Sequence, residues 1–296
     1  MLALYSLLSF IFWGVADLFY KIGNNEKKDK YSYLKTGAIV GLVMGAHAII
    51  YMLINHLSIN IMDILKYLPV SLCYIASMVI GYKGLKYIEL SISSPVQNTS
   101  GVITSILLIL FFKEKYNLPV YIAMLLVFIG IAFISYEEYK EDNNFDLKLL
   151  KKKISLLAII LPIGYCIIDG LGTFLDGVYL DKLELISEDS ALIAYEFTFL
   201  IYGLITILYL RSKKEKLTIK KDKSKLFAAL FETAGQFFYV FAMADDSVIS
   251  STIIGSYFIL ALILSRIFLK EKLNLHKYLG IGIVSIGIIM LLILGL

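Results

Sequence analysis

Five carboxylates, Asp17, Asp169, Asp176, Glu196 and Glu232, lie within long apolar stretches of this chain, and no arginine accompanies them there. An ionisable group inside hydrocarbon costs at least a few kcal/mol and by default points to a path for ions, protons or polar substrates. Acids in excess over bases attract cations or hold protons. The spacing of the aromatic neighbours sharpens this. Trp13 stands one helical turn before Asp17, and Tyr165 stands one turn before Asp169. At 1.5 Å per residue both aromatics fall about 16 Å into their helices, near a membrane midplane. The two aspartates lie about 6 Å further on, toward opposite faces. An aromatic pair flanked by acids can hold an organic cation by cation–π contact and ion pairing; helix packing and hydrogen bonding between helices are the competing uses.

Other polar residues extend this set. Glu232 and Gln236 are four apart and share one helix face, and Glu196 is a further deep acid. Asp176 sits near an expected helix end and reads as solvated. Gln97 and Asn98 belong to a polar run, 97–100, that follows Pro95. Four consecutive residues face all round a helix, so at most two of them line one cavity, and Gln97 and Asn98 are the candidates. His47 reads as a helix-packing histidine, and His56 and His276 as loop residues. Cys73 and Cys166 read as small buried hydrophobes. No His, Cys and acid spacing makes a metal site, and no cofactor is expected. Gly170-Leu171-Gly172 lacks the strand–turn–helix setting of a nucleotide loop.

These residues need helices to hold them. Of 296 residues 59% are hydrophobic and 18% charged, with mean hydropathy +0.79; soluble domains are less apolar and more charged. About 20 apolar residues cross a bilayer, and the apolar blocks predict ten crossings, near 2–22, 33–54, 64–82, 90–112, 118–136, 154–178, 190–210, 225–244, 248–269 and 276–295. The fold expected is an all-α membrane protein. The first block has no basic region before it and no A-x-A site after it, so it reads as a retained helix. Alternate loops divide the bases unequally: one face receives 24 of the 28 Lys and Arg residues. The positive-inside rule puts that face in the cytoplasm and both chain ends outside, in a cell (plasma) membrane. The Lys-rich segment 213–225 reads as a cytoplasmic loop near anionic lipid rather than a nucleic-acid site.

The chain also repeats itself. Lys113-Glu114-Lys115 and Asn117-Leu118 return 157 positions later as Lys270-Glu271-Lys272 and Asn274-Leu275. On the same offset Tyr121 falls on Tyr278 and Gly130 on Gly287; the first helices correspond on an offset of 152. The expected division is 1–137, a polar connection 138–153, and 154–296. Five crossings per copy put the second copy into the membrane upside down, the arrangement of inverted-repeat transporters (5+5).

Half-length repeats of five short helices, the aromatic–Gly pair Trp13-Gly14, and helices joined by a tight Glu-containing turn (Phe111 to Lys115, Ile267 to Lys272) together resemble the drug/metabolite transporter superfamily, in particular its EamA-type members. The resemblance implies a transporter rather than an enzyme. Members usually have Gly just before the turn Glu, where this chain has Lys113 and Lys270.

The function expected is secondary transport of small polar or cationic metabolites by alternating access, driven by a proton or ion gradient or by the substrate's own. The binding residues are expected among Trp13, Asp17, Tyr165, Asp169, Glu196, Glu232, Gln236, Gln97 and Asn98. A lipid or lipid-linked-sugar flippase is the alternative, and an intramembrane aspartyl protease a third reading. A protease dyad needs carboxylates close enough to share a proton, and the depth estimate separates Asp17 from Asp169. The partners expected are a small-molecule substrate and membrane lipid. One chain supplies both halves of a pathway, so a monomer suffices, with a homodimer as the other option.

Overall fold

In the computed structural model the described residues are 1–24, 29–58, 60–84, 99–142, 154–218, 221–270 and 273–294. They form helices α1 (Leu2–Asn24), α2 (Ser32–Asn55), α3 (Ile61–Gly84), α4 (Ser100–Phe112), α5 (Leu118–Asp142), α6 (Ile154–Gly177), α7 (Glu188–Ser212), α8 (Lys223–Asp245), α9 (Ser247–Ile254), α10 (Phe258–Phe268) and α11 (Leu275–Leu294), and no strand among them. Nine spans are long and apolar enough to cross a membrane, with α9 and α10 sharing one of them, and α4 is a shorter apolar helix. Leucines and isoleucines such as Leu53, Leu72, Leu125 and Ile205 face outward, as a hydrocarbon solvent requires.

Two of the expected helices differ from their sequence outline. The ninth crossing is broken at 255–257. There Ser256 N–H donates to Ile253 O at 3.1 Å and Tyr257 N–H to Ile254 O at 2.9 Å, the tight turns of a short 3₁₀ segment. At the break Gly255 and Gly101 of α4 meet with no room for a side chain on either. In the sixth crossing, α6 continues past Gly177 as a π-turn, Val178–Lys182. His276 lies in the first turn of α11 rather than in a loop.

The helices pack as antiparallel pairs, and the pairs exchange when the halves are swapped. α1 lies on α8 and α3 on α6; α2 lies on α7, α4 on α9, and α5 on α11. Tyr5, Phe12 and Phe19, seven apart on α1, pack ring to ring on Phe227, Phe231, Phe238 and Phe241 of α8. Gly37, Gly41 and Gly45 form the stripe on α2 against which Tyr202, Phe199, Gly203 and Leu200 of α7 close. Small residues at such spacing let backbones approach where water offers no hydrophobic drive between helices. On α5 and α11 the twofold relation is visible atom by atom: a side chain at Gly130 would strike Val284, and one at Gly287 would strike Val127. The 157 offset carries one contact onto the other. The fold is therefore ten membrane helices in two inverted five-helix repeats, with α9 and α10 counted as one.

The two Lys residues that stand where Gly is usual explain themselves in the backbone. Lys113 and Lys270 both adopt left-handed φ, 55° and 57°. The turn after each helix end requires that conformation, which glycine takes at no steric cost.

Candidate functional site

A cavity of about 140 Å³ lies between the two halves. α1 gives it Trp13, Asp17 and Lys21; α6 gives Tyr165, Asp169 and Thr173; α8 gives Glu232, Gln236 and Tyr239. Its wall continues along α3 to Met78 and Gly81, and along Ser100, Gly101 and the broken ninth crossing at Gly255 and Tyr257. Six of the sequence candidates thus meet in one place: Trp13, Asp17, Tyr165, Asp169, Glu232 and Gln236. Gln97 and Asn98 fall outside the described residues.

Trp13 is locked by its neighbours. Its ring stacks on Tyr239 with centroids 4.9 Å apart and meets Tyr257 edge-on at 5.8 Å. Its Nε1–H donates to the Glu232 carbonyl at 3.3 Å. Gly235 makes this possible, since any side chain there would strike the indole.

The acids are held in different ways. Asp169 accepts from Ser100 Oγ at 2.8 Å and Ser77 Oγ at 3.3 Å, so α3 and α4 fix its carboxylate. The carboxylates of Asp17 and Glu232 accept no hydrogen bond from any described residue. Lys21, one turn beyond Asp17, is the only base among the lining residues, and it donates to Ser265 Oγ at 3.3 Å. Three acids thus share the cavity with one base.

Asp176 corrects the sequence reading. It is fully buried rather than solvated, because the π-turn carries the crossing five residues past Gly177. Tyr67 donates to its Oδ1; Tyr74 and Tyr239 donate to its Oδ2 at 2.7 and 2.8 Å. The sequence signal was faint, two tyrosines seven apart on α3 and one on α8. This cage forms the floor of the cavity, on the side away from Lys21 and Gly81. Beyond it, the same face is tied by Asp181 to Ser247 Oγ (2.6 Å), Lys182 to Glu114 (2.9 Å) and Tyr116 to Asp246 (3.0 Å). The cavity lining reaches toward the other face, where most of the bases cluster.

Glu196 stands apart from this cavity. It is buried on α7 against α2, with its oxygens 2.8 and 2.9 Å from His47 Nδ1. Tyr51 bonds Asp189 at 2.6 Å in the same seam. Glu196 and His47 thus join two helices. Among the described residues no group of three or more His, Cys, Asp or Glu side chains could hold a metal ion.

No curated protein matches this sequence. A protein of known crystal structure is similar over 97% of this chain and 95% of its own, with a TM-score of 0.71 and 9% sequence identity, a likeness that speaks to fold alone. The family model described as the EamA-like transporter family matches residues 1–136 and again 156–293. Its two matches cover both copies of the repeat and every helix that lines the cavity, and the chain belongs to the EamA-like transporter family of membrane proteins.

Proposed function

We propose that this transporter moves small organic cations by alternating access, with Asp17, Glu232 and Asp169 as the anionic site and Trp13, Tyr165, Tyr239 and Tyr257 as its aromatic walls. The observation that carries the reading is the imbalance of charge: three acids face one cavity with a single lysine. A cation, or a proton in its absence, relieves their mutual repulsion, and the Trp13 face adds cation–π attraction. Taking the base-rich face as cytoplasmic, the cavity opens inward, toward Lys21 and Gly81, while the Asp176 cage closes the outer side. Both halves of the pathway come from one chain, so the proposal needs no second copy.

Purified protein in liposomes, assayed by counterflow of labelled amines and quaternary ammonium compounds, tests this. Asp17→Asn and Glu232→Gln are each expected to slow transport about tenfold or more, the loss of one buried charge-assisted contact. Normal transport with a normal pH profile in both Asp17→Asn and Asp169→Asn would overturn the acid-centred site.

A further inference from the structure

Gln236 carries an unused hydrogen-bond donor. Its side chain is 1% exposed and lines the cavity, yet its Nε2 has no partner among the described residues. A buried amide left unmatched is costly, so an orphan donor in a cavity wall is a place prepared for an acceptor. None of the neighbouring acids takes it. Asp169 is engaged by Ser77 and Ser100, and Asp176 by three tyrosines. Glu232 stands one turn away on the same face of α8, where side chains four apart have Cβ atoms roughly 5–6 Å apart. Its carboxylate is also without a hydrogen bond from any described residue, so the pair presents one open acceptor and one open donor to the same cavity.

We infer that Glu232 and Gln236 together read a substrate carrying an oxygen acceptor a few bonds from its cationic nitrogen, as in an amino alcohol or an amino amide. This rests on the cation reading above and narrows it: Glu232 takes the ammonium group, and Gln236 N–H donates to the hydroxyl or carbonyl oxygen. A bare alkylamine of the same length leaves the Gln236 amide unmatched, and a site built to hydrogen-bond one group rejects the analogue that lacks it far more strongly than an apolar pocket does. Gln236 is thus the residue that sets selectivity, while the acids set charge.

The test uses the detergent-purified full chain and two isosteric probes, 3-amino-1-propanol and n-butylamine, with binding followed by titration calorimetry and by ligand-induced shift in Tm. Wild type is expected to bind the amino alcohol about tenfold or more tighter. Gln236→Met, close in volume, is expected to lose affinity for the amino alcohol, keep that for butylamine, and bring the ratio below about threefold. Gln236→Asn serves as a second variant that keeps the amide, and is expected to retain part of the preference even where the Met variant unfolds. Equal binding of the two probes by wild type overturns the Gln236 assignment and leaves the cation site standing. The same holds for a ratio unchanged in Gln236→Met. Binding of neither probe, nor of any organic cation in the transport panel, overturns the cation reading and this inference with it.

Discussion

Replacing Asp176 by Leu should loosen the floor of the cavity by an amount the geometry sets. Three phenols point at this carboxylate, and Tyr67, Tyr74 and Tyr239 are 0%, 8% and 2% exposed. Losing an acceptor leaves a buried donor at a cost of about 1–3 kcal/mol, although polar contacts inside membrane proteins average nearer 0.6 kcal/mol. The three are not equally stranded. The Tyr74 and Tyr239 hydroxyls lie 2.7 Å apart, and Thr173 Oγ1 is 3.0 Å from Tyr74, so these two can bond to each other and to Thr173. Tyr67 has no second partner among the described residues and bears most of the loss. The expected cost is about 2–4 kcal/mol, or about 5–15 °C in Tm at roughly 2–4 °C per kcal/mol. Thermal unfolding in detergent measures it. Adding Tyr67→Phe, Tyr74→Phe and Tyr239→Phe to Asp176→Leu should recover most of the loss, because an apolar pair of the same shape strands no donor. A single variant within about 1 °C of wild type would refute the reasoning, and so would a quadruple variant no more stable than the single one; both thresholds follow from the same per-bond cost.

Further outcomes follow from other parts of the fold. Gly41→Ala, whose side chain would strike the Phe199 carbonyl and Gly203, should lower stability by about 1–3 kcal/mol through overpacking. Gly282→Ala, with open space around it, should be neutral or stabilising by up to about 1 kcal/mol; thermal unfolding compares the two. Lys113→Gly and Lys270→Gly should each raise stability by up to about 1 kcal/mol by relieving left-handed φ, read as additive gains in Tm. On the basic face, burial alone would raise the Asp29 pKa. The Lys35 ammonium at 2.7 Å and the Tyr31 N–H outweigh it and hold the carboxyl below its ordinary range. A lowered folded-state pKa contributes stability that is present above the ordinary Asp value and is lost as pH falls through the lowered one. Asp29→Asn should remove that part of the acid slope, measured as Tm against pH from about 6 down to 3.

How far the sequence disclosed this molecule depended on whether the cause was local. Ten crossings could be counted because hydrocarbon thickness imposes length on each one. Trp13–Asp17 and Tyr165–Asp169 could be matched because duplication preserved a four-residue spacing, and all four residues line one cavity. The break at Gly255 could not be read, and the glycine it packs on, Gly101, lies more than 150 residues away. Glu196 looked like Glu232 for a similar reason. Both are single acids in apolar helices, and only packing shows that one faces His47 and the other the cavity. Asp176 was misplaced because a π-turn, which has no composition of its own, moved the helix end.

Among the described residues the Asp176 cage also has no twin. The inverted repeat would call for one at the other end of the cavity, yet the residue 152 positions before Asp176 is Asn24. Opposite it, where Gly23 packs on Lys225, the first nine residues of α8, 223–231, contain no tyrosine. In the alternating access proposed above, opening the caged side gives up three hydrogen bonds, and the described residues of the basic side offer no equivalent set. At about 1.4 kcal/mol per factor of ten, even a small surplus leaves the two conformations unequally populated. Under the alternating access proposed above, the conformation open to the base-rich side is the favoured one, and leaving it is the step expected to be slow.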